Sequence, residues 1–157
     1  MIGKTTDVAA IANGDRMNAE TLWAMGRIGG AAASPDGKTV VYQVGYYSVK
    51  QNKSHQMLYT VSADGKKQHS LTTTAASESD ATWIDGGKRI AFLTGGQLWT
   101  MNADGTDRRQ LTKSEIDIEG YIFSPDEKKV ILIKSLPYHE NNKRSEERFS
   151  RNAETDL

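Results

Sequence analysis

The chain repeats itself, and that repeat limits what it can fold into more than any other feature. Three segments align without gaps: residues 31–44 (AAASPDGKTVVYQV), 81–94 (ATWIDGGKRIAFLT) and 121–134 (YIFSPDEKKVILIK). Each opens with a short apolar stretch, turns through Ser-Pro-Asp-Gly or a relative of it, passes a Lys and enters a β-branched run. A second element, residues 56–72 (QMLYTVSADGKKQHSLT), returns as residues 97–112 (QLWTMNADGTDRRQLT). The two align from Leu58 on Leu98, with a one-residue difference at the leading Gln. Self-similarity on this scale has to be recognised first, because missing it misassigns the whole architecture.

The local chemistry of each unit is that of short antiparallel strands. Pro35 presets φ at the first central turn position, and Asp36 and Gly37 tolerate the conformations that reverse the chain. Thr39–Tyr42, Ile90–Leu93 and Val130–Ile133 are bounded by turn residues and rich in β-branched and aromatic side chains, which predicts short buried strands. Leu58–Val61 and Leu98–Met101 are third strands, each closing at Asp64-Gly65 or Asp104-Gly105, a strong hairpin signal. A short fourth strand ends in Leu71-Thr72 or Leu111-Thr112.

Four antiparallel strands in roughly 40 residues is the period of a propeller blade. Ala81 to Tyr121 and Leu58 to Leu98 are each 40 positions apart, whereas Ala31 to Ala81 is 50. The first unit therefore carries about ten extra residues around 46–55, which read as a longer surface hairpin, although insertions in repeat proteins also lie on binding faces. Asn18–Met25 predicts a helix with Asn18 as N-cap, Leu22, Trp23 and Met25 as its apolar face and Gly26 as its stop. The expected fold class is all-β: a partial β-propeller of about two and a half four-stranded antiparallel blades, preceded by one short helix. The expected organisation is a loose arm (1–17), a helix and lead-in (18–30), blades over 31–139 (31–74, 81–114 and an incomplete 121–139) and a non-propeller tail (140–157).

Several function classes are excluded by composition. Twenty basic residues balance twenty acidic ones, which gives no reason to expect nucleic acid or an anionic membrane as partner. No apolar run is long enough to span a bilayer, and residues 1–7 lack the apolar core of a secretory signal. The absence of cysteine removes disulfide frameworks, thiolate metal sites and cysteine nucleophiles.

Residues that could suggest chemistry read more plainly as structure. His55, His69 and His139 have no second ligand at metal spacing. Asn102–Asp107 has some oxygen ligands of a calcium loop but lacks the further acids and the closing Glu, and the parallel residues 62–67 place lysines there, so a hairpin turn is expected. Tyr42, Tyr59, Trp83, Phe92, Trp99 and Phe123 occupy matching blade positions and are assigned to the inter-blade core. Lys66-Lys67 and Arg108-Arg109 are expected to be solvated edge charges. Gly29-Gly30 is not followed by the helix that a phosphate loop requires and reads as close packing at the propeller axis. No catalytic, cofactor-binding or metal-ligating residue is assigned.

Blades reading xxxSPDGkxβxβ and then xLyxβxxDGxxxxxLT resemble the WD40-like repeat of two groups: the N-terminal propeller of prolyl oligopeptidase family serine peptidases, and the periplasmic TolB propeller. The stretch Glu20–Val44, in which a short helix and Gly26-Arg27-Ile28 lead directly into the first SPDG blade, is similar to bacterial members of the peptidase family of the dipeptidyl and acylaminoacyl peptidase type. That resemblance covers about residues 18–139. It implies a propeller that caps an α/β-hydrolase domain, screens peptide substrates from a Ser-Asp-His triad and works in the periplasm or outside the cell. The hydrolase signature G-x-S-x-G occurs nowhere in the chain, so no triad residue is carried over. The hydrolase domain is expected further along a longer parent. Ile84–Gly87 replaces SPDG in the second blade, and Glu127 replaces the turn Gly in the third. The alternatives are a TolB-like protein-binding propeller without enzymatic activity and, more remotely, an intracellular WD40-like scaffold, which the missing Trp-Asp dipeptide disfavours.

Residues 144–157 fit no blade and lack apolar periodicity. Their fourteen residues resemble one translated frame of a common short-read sequencing adapter, without a mismatch. The expectation is a reading frame that ran from a short read into adapter, with an export signal lost upstream. Source DNA after Lys143 with codons unlike the adapter, or a natural gene that retains this segment, would overturn it.

Overall fold

The computed structural model describes residues 17–136. The arm at 1–16, His139 and the tail at 140–157 lie outside the described residues. Helix α1 (Ala19–Ala24) precedes ten strands: β1 (Arg27–Ala33), β2 (Thr39–Ser48), β3 (Lys53–Ser62), β4 (Gln68–Ser70), β5 (Glu78–Ile84), β6 (Arg89–Thr94), β7 (Gln97–Asn102), β8 (Arg109–Gln110), β9 (Gly120–Phe123) and β10 (Val130–Ile133). They form two four-stranded sheets, β1-β2-β3-β4 and β5-β6-β7-β8, and a two-stranded sheet β9-β10. Every pairing is antiparallel. Among the described residues the fold is thus all-β with one short helix, as the repeat demands.

The turns explain why the repeat is written as it is. At the first, Ser34 Oγ donates to Asp36 Oδ1 (2.6 Å) and accepts from the Thr39 amide (3.0 Å), while the Lys38 amide donates to the same carboxylate (3.1 Å). The same wiring recurs at Ser62-Asp64 and Ser124-Asp126. Gly37 takes a left-handed φ of 69° there, where a side chain is unfavourable. Glu127 holds that conformation without being glycine, at φ 55°, and its Oε2 accepts the Asp85 amide of the neighbouring sheet at 2.7 Å. The Ile84–Gly87 turn departs more: Asp85–Gly87 forms a short 3-10 turn, with all three residues at positive φ.

The fourth strands are short because a Leu-Thr pair closes each blade. The Leu71 amide donates to the Leu58 carbonyl (2.8 Å) and Thr72 Oγ1 accepts the Leu58 amide (2.7 Å). Leu111 and Thr112 repeat this on Leu98 at 2.8 and 3.0 Å. The ten extra residues extend the β2-β3 hairpin, which stays in register out to Ser48 opposite Lys53.

Strand alternation sends each sheet's two faces to different neighbours. Val41, Leu58 and Leu71 of the first sheet meet Ile90, Phe92 and Met101 of the second. The other face of the second sheet, with Ala91, Leu93 and Leu98, meets Ile118 and Tyr121. Burial on both sides is why Ile90–Leu93 is an unbroken apolar run. Trp83 and Trp99 pack against the first seam and Phe123 against the second. Tyr42 and Tyr59 do not join either seam. Their register points them away from the second sheet, where they stack at 5.6 Å and cluster with Val44, Tyr46 and Met57.

Three local expectations need correction. Asn18 caps α1 as expected, its Oδ1 accepting the Thr21 amide at 2.7 Å, but the side chain α1 buries is Thr21, whereas Leu22 and Trp23 stay exposed. Gly26 does not end the helix by a left-handed turn: Met25 is already extended. Glycine is needed because a Cβ there would sit 2.7 Å from Val44 Cγ1. At Gly29-Gly30, where β1 bulges between Ile28 and Ala31, a Cβ on Gly29 would strike the Gln43 side chain, whereas Gly30 faces open space. Close packing holds for the first glycine only.

The β9-β10 hairpin exposes Ile122, Ile131 and Ile133 on the face that the second sheet buries. Ile131 is 64% exposed, whereas its repeat equivalent Ala91 is fully buried. Such a patch drives association. The chain of residues 1–157 should therefore self-associate in sedimentation velocity, and Ile131→Lys should reduce the association. A monodisperse wild-type monomer with a sharp melt is the contrary outcome.

Candidate functional site

Among the described residues no group of three or more His, Asp or Glu is placed to hold a metal ion. His55 lies buried on β3 with Nε2 unpartnered among the described residues, and burial pushes its pKa down, favouring the neutral ring. His69 is exposed on β4. The Asn102–Asp107 loop is a hairpin turn whose acids are engaged: Asp104 accepts from the Thr106 amide and hydroxyl at 2.9 and 2.6 Å, and Asp107 pairs with Arg89 at 2.8 Å and Arg109 at 2.9 Å.

Polar chemistry concentrates instead in the seam between the first two sheets. Glu78, the first residue of β5, is 1% exposed. Its Oε2 accepts from Thr72 Oγ1 at 2.8 Å, and its Oε1 pairs with Arg108 Nη2. Arg108 also donates to the Leu71 carbonyl at 3.2 Å and lies 4.9 Å from the Phe92 ring centroid. A solvated edge charge was expected at Arg108. The structure turns it inward because a buried carboxylate needs a counter-charge, whereas Arg109 is the exposed one. Burial pushes the Glu78 pKa up, with the Thr72 hydroxyl and Arg108 opposing. Sequence reasoning missed Glu78, although a signal existed: 40 positions on, the equivalent residue is the buried Ile118, so a charge stands at an apolar position of the repeat.

At the turn end of the same seam, a groove of about 510 Å³ opens between the Ser34 and Gly86 turns, lined by Thr60, Lys67, His69, Trp83 and Lys88 among others. Trp83 Nε1 already donates to the Ala32 carbonyl at 2.9 Å. Asp36 is held below its ordinary carboxylate range by the Ser34 hydroxyl and the Lys38 amide. The groove therefore sets the lysines Lys67 and Lys88, the carboxylates Asp36 and Asp104 and several hydroxyls around an aromatic wall.

Comparison with known proteins gives the seam a context. No family model matches the chain. It is 41% identical over 119 residues to dipeptidyl-peptidase 5 of Porphyromonas endodontalis, covering 73% of this chain and 17% of that protein. With dipeptidyl-peptidase 5 of Porphyromonas gingivalis it shares 43% identity over 142 residues, 88% of this chain and 21% of that protein. The chain thus spans about a fifth of the length of these relatives. Among solved structures, the acylaminoacyl peptidase of Pyrococcus horikoshii superposes with a TM-score of 0.61 at 14% identity, over 77% of this chain and 19% of that one. An acylaminoacyl peptidase bound to Z-Gly-Gly-Phe-chloromethyl ketone superposes at 0.63 and 12% identity, over 79% and 20%. At these identities the superpositions speak to the fold. The sequence matches support a relationship with peptidases of the prolyl oligopeptidase family.

Removing Arg108 would strand Glu78 as an unpaired buried charge. Arg108→Ala should cost about 3–5 kcal/mol near neutral pH. The Glu78 pKa, already raised by burial, rises further without Arg108, so the variant takes up its proton on acidification. Its destabilisation relative to wild type should then shrink as pH falls towards the carboxylate range. Urea unfolding at neutral and mildly acidic pH checks both. A deficit that does not change with pH contradicts the assignment.

Proposed function

We propose that this chain is the N-terminal propeller portion of an exported serine peptidase of the prolyl oligopeptidase family, and that the blades limit access of short peptides to an α/β-hydrolase domain carried elsewhere in the parent. The observation that carries the reading is the identity of 41% and 43% to two dipeptidyl-peptidases. The stacked four-stranded sheets support it, because a rigid ring of blades can act as a sieve by shape alone. The chain's own chemistry fits a non-catalytic role: its buried carboxylate is committed to an inter-sheet ion pair, and its turn aspartates to their own turns.

The gene extended downstream tests this directly. The expected product encodes further blades and then a G-x-S-x-G segment, and releases dipeptides from short chromogenic peptides while sparing folded proteins. Arg108→Ala in that full-length enzyme should loosen the first seam and allow longer peptides to be cleaved. A ring that closes without any hydrolase segment would instead support a TolB-like binding propeller and overturn the peptidase reading.

A further inference from the structure

We infer that Arg27, held in an aromatic corner between α1 and the lengthened β2-β3 hairpin, is a receptor for a peptide carboxylate. The Arg27 guanidinium carbon lies 4.6 Å from the Trp23 ring centroid and 4.7 Å from that of Tyr47. The two rings meet edge to face, with centroids 5.8 Å apart and planes inclined at 66°. One side of the guanidinium is therefore fixed against aromatic faces, an arrangement favourable for a cation. Among the described residues no carboxylate pairs with Arg27 and no acceptor takes its N–H groups. Arg89, Arg108 and Arg109, by contrast, each hold an acid.

Among the described residues this corner occurs only in the first blade. Tyr47 lies in the part of the hairpin contributed by the extra residues, paired with Ser54, and Trp23 comes from the helix that precedes the blades. Arg27 begins β1, at the end of that strand opposite the Ser34 turn. Trp23 and Tyr47 remain 41% and 38% exposed, so the rings also offer walls to whatever meets the guanidinium.

An immobilised planar fork with open donors matches the two oxygens of a carboxylate. A single guanidinium with no paired acid among the described residues suits a monoanion better than a phosphate dianion. The aromatic walls suit the apolar flank of a peptide, whose carboxylate can come from its C-terminus or from an acidic side chain. The site does not depend on whether the parent protein cleaves peptides.

The test uses the full chain and three rhodamine-labelled tripeptides, followed by fluorescence anisotropy: Gly-Ala-Phe with a free C-terminus, Ala-Asp-Ala amide and neutral Ala-Asn-Ala amide. One or both carboxylate probes should bind about tenfold more tightly than the neutral one, the scale of one charge-assisted bidentate contact. Whichever binds identifies the source of the carboxylate. Arg27→Lys keeps the charge and its aromatic contact but removes the fork, and should lose most of that preference while melting as wild type does. Equal binding of the neutral probe, no binding of any probe, an unchanged preference in Arg27→Lys, or displacement by inorganic phosphate but not by acetate would each overturn the inference.

Discussion

A β-sheet in this molecule has two apolar faces and no way to bury both by itself. The second sheet shows the solution: Ile90, Phe92 and Met101 go to one neighbour, Ala91, Leu93 and Leu98 to the other. Every other feature follows from that stacking. Turns must be tight because the strands are short, fourth strands must end in a fixed closure, and any polar group caught between sheets must bring its own partner. The cost of breaking the rule is visible where stacking stops. Leu71 is 1% exposed in the complete seam, whereas its repeat equivalent Leu111 is 51% exposed beside the two-stranded sheet.

Most of this architecture was legible in the sequence because it is carried by local chemistry that repeats. The Ser-x-Asp turns join residues within five positions of one another, and each Leu-Thr closure reaches only to the adjacent strand of its own blade, 13 or 14 positions back. They form the same hydrogen bonds wherever they occur. The capping role of Asn18 belongs to the same class. What was not legible depends on contacts distant along the chain. Gly26 is required by Val44 and Tyr46 across the sheet, so its presence after a helix suggested the wrong reason. Arg108 looks like a surface charge until Glu78, thirty residues earlier, is placed beside it. Tyr42 and Tyr59 occupy core-type positions, but the face they share has no stacked sheet among the described residues.

The candidate site follows the same division. Its absent catalytic signature could be read directly, since G-x-S-x-G is a contiguous motif. Glu78, Thr72 and Arg108 come from separate elements and converge only when two blades meet. Their chemistry also differs from that of the second seam, where position 118 is isoleucine and Thr112 donates to Gln97 within its own blade. The first seam thus carries a buried ion pair where the second has an apolar side chain, a difference that the shared repeat conceals.

The hydrogen bond from the Asp85 amide to Glu127 has a mechanical meaning. It joins the turn of one blade to the turn of the next at 2.7 Å, at the one SPDG-type turn where glycine has been replaced. A strut at that rim fixes the distance between the two blades at one end, while Tyr121 Oη on the Asp80 carbonyl at 2.5 Å and the Ile118 amide on the Gly96 carbonyl at 2.9 Å tie them farther along. Parting of the two blades therefore has to break ties at both ends rather than turn about one rim. A single side chain at a glycine position thus supplies one of the two anchors that keep the seam shut along its length.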